Sequence, residues 1–351
     1  MIVIFTANKT SGVLHYAVQM KKNLRKVFDE VILYVPSDCE LEGEGVVHFE
    51  RKNDILPISG YYKRIANEIV KRKPKFVFAC ESRLISSRLI VKLSKRVNCY
   101  ISVHDVSEHP LYEEKRLQFK RQITSYYAKE AWKACKGVVL LSPKSLNEFI
   151  NGYPNLKNKC SMIQIGANEF DNNPVEPKEL SGVKDYLLFF GTLEKYKGIP
   201  NLLKAYREVK IERPKLVIAG NGVLSQEEMD IIKECEVILI KRYIHDEEVV
   251  FLFNNCKATV LPYIEASQSG ILGLSYFFGK PVIANNIEGI REYIEQGNTG
   301  FIYRNNQELT MYLSQVDRIT EEMSNNANKY YKEHLSWDKN VLNWLKNVGE
   351  I

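Results

Sequence analysis

Lys197 follows a strand-like run ending at Phe190 and stands directly before Gly198, which puts an ammonium group near a strand end beside a permissive turn. Further along, Pro262 to Pro281 reads PYIEASQSGILGLSYFFGKP, small and polar residues followed by an apolar segment of helix length. A cation at a strand end together with the backbone N–H groups of a helix N-terminus is a way to grip a diphosphate. The implied ligand is a nucleotide-activated molecule. If the nucleoside diphosphate departs, negative charge builds on its bridging oxygen, and a fixed ammonium stabilises that charge more in the transition state than in the ground state. No metal is then needed. The bland alternatives are a solvated surface lysine and a Ser269 that only caps a helix.

To position these groups, short apolar runs rich in β-branched and aromatic residues alternate with amphipathic stretches, the pattern of parallel sheets wrapped by helices. One series of strands is expected at Ile2–Thr6, Glu30–Val35, Phe76–Ala79, Cys99–Val103, Val138–Leu141 and Met162–Ile165. A second is expected at Tyr186–Phe190, Lys215–Ala219, Glu236–Ile240, Ala258–Leu261, Pro281–Ala284 and Gly300–Tyr303. Between them Asn168–Lys184, polar and holding Pro174 and Pro177, reads as a linker. The expected domains are residues 1–168 and 169–329, with a C-terminal helix at about 330–351, capped by Ser336, packing back on the first. The expected class is α/β: two Rossmann-like, doubly wound domains facing a cleft, with ligands at strand C-terminal ends. In the first loop, Gly12 is small enough for backbone to approach a phosphate or sugar.

The motifs of the second half resemble glycosyltransferase family 4, retaining enzymes of the GT-B fold. Gly191, Leu193, Lys197 and Gly198 fall on G-x-L-x-x-x-K-G; Gly220-Asn221-Gly222 follows a strand as G-x-G does; Gly279 to Ala284 and Glu288 to Gly300 resemble two further family motifs. Two departures stand out. Thr192 occupies the place of a usual arginine, and Ala266 and Leu274 occupy the register of the paired glutamates that contact donor sugar and ribose. The S-Q-S-G loop resembles that of a branch from bacterial polysaccharide biosynthesis.

The resemblance implies roles. Lys197, Ser269, Gly270, Ile271 and Gly12 would meet the donor phosphates, Glu265, Ser267 and Gln268 the donor sugar, and Gly222, Tyr243 and Ile244 the nucleotide. His104-Asp105 resembles the H-D element on the acceptor side: a neutral His104 would donate to sugar or acceptor, and Asp105 would orient it or act as base. With His109 nearby a metal can be considered, but no second ligand cluster accompanies these residues, so no metal and no cofactor is expected. The implied function is transfer of a sugar from a nucleotide diphosphate donor to a hydroxyl of a glycan acceptor, lipid-linked, in cell-surface polysaccharide biosynthesis.

Charge adds a location. The chain carries +6 overall, yet residues 1–168 hold 28 Lys and Arg against 16 Asp and Glu, a net of +12, while the remainder is at −6. Seven basic residues cluster between Lys115 and Lys136, which fits either a solvated helix face or contact with anionic lipid. No stretch is apolar enough to span a bilayer, so a cytoplasmic protein, peripheral on the inner membrane face, is expected. The seven scattered cysteines read as core filler. No nucleic-acid motif is present. A dinucleotide oxidoreductase is disfavoured because Ala7 to Val13 reads ANKTSGV in place of G-x-G-x-x-G. A noncatalytic nucleotide or sugar binding protein of the same fold remains the rival.

Overall fold

Along the first strand, β1 (Ile2–Phe5), successive side chains enter different cores: Ile2 and Ile4 join one apolar cluster, Val3 and Phe5 another. Period-two burial on both faces is the mark of a parallel sheet covered by helices on either side. The computed structural model that shows this describes the chain except residues 10–11, 51–58, 105, 107–114, 168–172, 211–212 and 267, and the side chains of residues 59 and 115–120.

Two units are formed: Met1–Ile165 with Trp337–Ile351, and Gly166–Ser336. The first sheet continues with β2 (Val31–Pro36), β3 (Val46–Phe49), β4 (Phe76–Ala79), β5 (Asn98–Val103), β6 (Gly137–Leu140) and β7 (Cys160–Met162), in the order β3-β2-β1-β4-β5-β6-β7. The second holds β8 (Tyr186–Phe190), β9 (Leu216–Ala219), β10 (Ile238–Ile240), β11 (Cys256–Leu261), β12 (Val282–Asn285) and β13 (Gly300–Tyr303), in the order β10-β9-β8-β11-β12-β13. All pairs are parallel. In each sheet the connections run one way from a central strand and then reverse, at β1/β4 and at β8/β11. Loops leaving such a switch point diverge and leave room for a ligand.

Strands β4, β8 and β13 coincide with expectation. Edge strand β3 was not anticipated: it is short, follows a glycine-containing turn, and leaves His48 exposed, so its pattern lacks a buried run. At the other edge, pairing with β6 spans Cys160–Met162 instead of Met162–Ile165, because the ladder ends where the chain leaves for the second unit. The described part of the expected linker is docked. Leu180 is buried in the core of the second unit, and both carboxylate oxygens of Glu179 accept from Arg242 at 3.0 Å. The cysteines sit in or against the cores, six of them buried, and burial pushes the Cys135 and Cys256 thiols up to about 12.

Tyr331 and Leu335 bury in the second unit, whereas Trp337, Val341, Trp344 and Leu345 bury in the first, so the chain crosses at Ser336. Ser336 Oγ donates back to the Lys332 carbonyl at 3.3 Å. The returning helix, Trp337–Asn347, covers one face of the first sheet. Trp344 lies edge-on to Phe76, Phe78 and Tyr100 with centroids 5.1–6.0 Å apart, and its indole N–H donates to Ser161 Oγ at 3.1 Å. Trp344→Ala is therefore expected to remove about 3–5 kcal/mol from the first unit. Urea denaturation should show that unit unfolding earlier while the midpoint of the second stays in place.

Candidate active site

At the switch point of the second sheet the loops after β8 and β11 are locked together by backbone. Gly198 has φ +71°, and a Cβ there would stand 1.8 Å from the Pro262 carbonyl oxygen, so only glycine lets the two loops approach this closely. The Ile264 N–H then donates to the Tyr196 carbonyl at 2.8 Å. A short 3-10 turn, Lys195–Lys197, is held in this clasp.

The clasp half-buries Lys197. Its Nζ lies 3.8 Å from the centroid of the Tyr263 ring and 5.1 Å from that of Tyr196. No carboxylate oxygen among the described residues lies within 4.0 Å of it. Desolvation holds its pKa below the usual lysine value, opposed by Tyr196 and by Glu194. A partly desolvated cation without a close counter-charge is unfavourable by itself, and ring quadrupoles offset only part of that cost.

Beside it the helix Gly270–Phe277 starts at Ser269, whose Oγ accepts from the Leu272 N–H at 3.3 Å. Gly270 is exposed, with open space where a Cβ would stand, so the first backbone amides of this helix are approachable. Tyr263 is fully buried; its hydroxyl faces Ser269 without closing a hydrogen bond of good geometry. Gln268 is half-buried and Glu265 exposed, while Ser267 lies outside the described residues. Ala266 and Leu274, in the register of the family's glutamates, are each 6% exposed and belong to the core, so these two positions serve packing.

Neighbouring loops extend the edge. Gly220 and Gly222 both have φ +153°; a Cβ on Gly220 would meet the Gly191 carbonyl oxygen at 1.8 Å, and Gly222 bridges to Leu193. After β10, Tyr243 is 66% exposed and Ile244 is buried. Their loop is braced by Arg242, which donates to Glu248 at 2.6 and 2.7 Å as well as to Glu179. The guanidinium holds both carboxyls below their usual range.

In the first unit Gly12 opens the helix Gly12–Leu24 and has open space around it. His104, just past β5, stands edge-on to Tyr16 with centroids 5.3 Å apart, and its Nε2 lies 2.8 Å from the Cys80 carbonyl oxygen. A carbonyl only accepts, so in this contact Nε2 carries the proton, and the contact holds the ring in place. Asp105 and His109 lie outside the described residues.

Two participants were not anticipated. Tyr263 carries Lys197, and its only signal is an aromatic residue following Pro262. Glu81 is buried just past β4, accepting from the Ala7 N–H at 2.8 Å and Thr6 Oγ1 at 2.9 Å; its signal is a carboxylate directly after an apolar strand.

The chain resembles known proteins in sequence and in fold. Residues 173–334 match the family described as glycosyl transferases group 1. The GDP-mannose:glycolipid 4-beta-D-mannosyltransferase of Xanthomonas campestris pv. campestris is 27% identical over 139 residues, 38% of this chain and 40% of that protein. The capsular polysaccharide biosynthesis glycosyltransferase CapM of Staphylococcus aureus is 22% identical over 201 residues, 52% of each. The chain thus spans about half the length of the curated relatives it matches. Among solved structures, Anabaena HepE in complex with UDP superimposes with a TM-score of 0.73 at 15% identity, covering 100% of both chains. The fold is GT-B, and the stretch that matches glycosyl transferases group 1 lies within its second unit.

An anion bound at Lys197 favours the ammonium form, so affinity is fully present below the pKa of the free protein and declines as pH rises through it, before 10.5 is reached. Calorimetric titration with a nucleoside diphosphate should show this alkaline limb, and Lys197→Gln, weak throughout, should lack it. In the free protein stability rises with pH over the same interval, because the unfolded chain binds that proton more tightly.

Proposed function

We propose that this protein is a retaining glycosyltransferase that moves a sugar from a nucleotide diphosphate donor to a hydroxyl of a glycan acceptor, lipid-linked, in cell-surface polysaccharide synthesis. The observation that carries the proposal is Lys197: a half-buried, partly desolvated cation with no carboxylate within 4.0 Å among the described residues, beside an accessible helix N-terminus at a switch point. The donor diphosphate would bind there, with its sugar toward Gln268 or Glu265 and its base toward Gly222, Tyr243 and Ile244. HepE crystallised with UDP and the relatives named for glycolipid and capsule synthesis support the substrate classes.

In the reaction the bond from the anomeric carbon to the phosphate oxygen breaks and a bond to the acceptor oxygen forms on the same face. The acceptor proton passes to the departing phosphate. Lys197 and the amides at Ser269, Gly270 and Ile271 stabilise the charge left there, so we assign no divalent ion to the step. The first unit presents the acceptor near His104 and Asp105.

The test is a panel of UDP-, GDP-, dTDP- and ADP-sugars assayed for transfer in the presence of EDTA. Transfer should persist, and Lys197→Ala should reduce it several hundredfold or more, the roughly 3–4 kcal/mol of one preorganised charge at a developing anion. Binding without turnover across the panel would make this a nucleotide-sugar binding protein instead. A strict requirement for Mg²⁺ or Mn²⁺ would overturn the electrostatic assignment.

No helix among the described residues is long and apolar enough to cross a membrane. A peripheral position on the inner, cytoplasmic face, through the helix Lys115–Ala134, is part of the proposal. Some of its charge is already used: Lys133 pairs with Glu130, and Lys136, just beyond, pairs with Glu350, both at 2.8 Å. Tyr126 is 60% exposed on the same helix. Anionic vesicles should therefore bind at low salt, with about 1 kcal/mol from each basic residue that reaches the surface. Reversing Lys120, Arg121 and Lys129 to Glu should weaken co-sedimentation and slow transfer to a lipid-linked acceptor more than to a soluble analogue. Equal slowing on both would assign the helix to catalysis or folding.

A further inference from the structure

We propose that Glu81 is the positioning residue of the first unit, fixing the loop after β1 to the end of β4 as a rigid part of the acceptor platform; this rests on the transferase reading above. The platform sits where β4 lies between β1 and β5, at the switch point of the first sheet. Two consecutive residues past β4 reach in opposite directions. Cys80 gives its carbonyl to His104 Nε2, beyond β5. Glu81 takes the loop beyond β1: its Oε1 accepts from the Ala7 N–H at 2.8 Å and from Ser86 Oγ, and its Oε2 accepts from Thr6 Oγ1 at 2.9 Å.

Thr6 Oγ1 passes the constraint on, accepting from the Asn8 N–H at 3.1 Å. Arg83, two residues after Glu81, holds the Asn8 side chain from the other side, Nη1 to Oδ1 at 3.5 Å. The Asn8 Nδ2 is left buried with no partner among the described residues, a donor presented by the loop that leads to Gly12.

Stability alone does not account for this carboxylate. Glu81 is 2% exposed, Thr6 and Ser86 are fully buried, and no cation among the described residues lies within 4.0 Å of Glu81. An acceptor surrounded by three neutral donors and no counter-charge is a costly substitute for apolar packing. What it secures is geometry, since the Ala7 N–H cannot turn round and each hydroxyl is committed to a direction. None of the three donors is exposed, so the network does not touch substrate and acts through the loop, while the neighbouring Cys80 carbonyl meets His104.

Glu81→Gln keeps the shape but sets an amide donor against one of these donors. In the full chain, amide hydrogen exchange across residues 6–9 should accelerate at least tenfold while the rest of the first sheet keeps its protection. The kcat for transfer should fall 10- to 100-fold, and calorimetric affinity for a nucleoside diphosphate, gripped mainly by the second unit, should fall by less. Should Glu81→Gln fail to fold, Thr6→Val, which removes one donor and leaves the carboxylate, should show the same pattern at a smaller size. Unchanged loop exchange, or unchanged kcat in an actively transferring protein, overturns the proposal. So does acceleration spread evenly over the sheet, which is the signature of a purely structural role. If the wild-type chain transfers no sugar, the transferase reading fails, and the local exchange result still decides whether Glu81 holds the loop.

Discussion

In a parallel sheet every strand points the same way, so all strand-to-helix loops emerge along one edge, and they part company where the winding direction reverses. That constraint operates twice in this chain, at β1/β4 and at β8/β11. At the second reversal the parted loops hold Lys197 and Ser269; at the first they hold Gly12 and Glu81. Chemistry-bearing side chains remote in sequence become neighbours because the sheet order leaves them no other edge.

Each reversal is then made rigid differently. In the second unit the device is steric: glycines at 198 and 220 admit carbonyl oxygens to within 1.8 Å of where a side chain would begin, so the loops interlock through main chain. In the first unit it is polar, with one buried carboxylate gathering donors from the loop after β1 and from the helix Leu84–Leu93. The steric device leaves the ammonium partly desolvated against Tyr263. An anion arriving there meets an electrostatic partner part of whose desolvation has already been met during folding.

Much of this was legible in the sequence, for identifiable reasons. Central strands such as β4 and β8 are apolar on both faces and bounded by polar turns, so composition alone marks them; edge strands β3 and β7 bury one side or pair briefly, and their pattern fades. Lys197 and Ser269 were readable because the phosphate-gripping geometry is local, a cation or a cap at an element's end. Tyr263 and Glu81 were not, since their meaning lies in contacts with residues 66 and 75 or so positions away. Composition also could not say which His104 nitrogen holds the proton, because the Cys80 carbonyl that decides it arrives from a different strand. The polar stretch before β8 reads as a tether for the same reason: only its fold shows Glu179 meeting Arg242.

The crossing at Ser336 has a consequence for biosynthesis. The second unit is continuous in sequence, inserted whole into the first. A ribosome therefore completes the seven strands of the first sheet long before it delivers Trp337 and Trp344, which cover part of one face. At roughly 5–20 residues per second the wait is on the order of ten to thirty seconds. Through that interval Phe76, Phe78 and Tyr100 lack their final cover while the inserted unit is made, and only the last stretch of chain completes both cores. The nascent first half, with part of one sheet face uncovered meanwhile, is the one with most to gain from a chaperone.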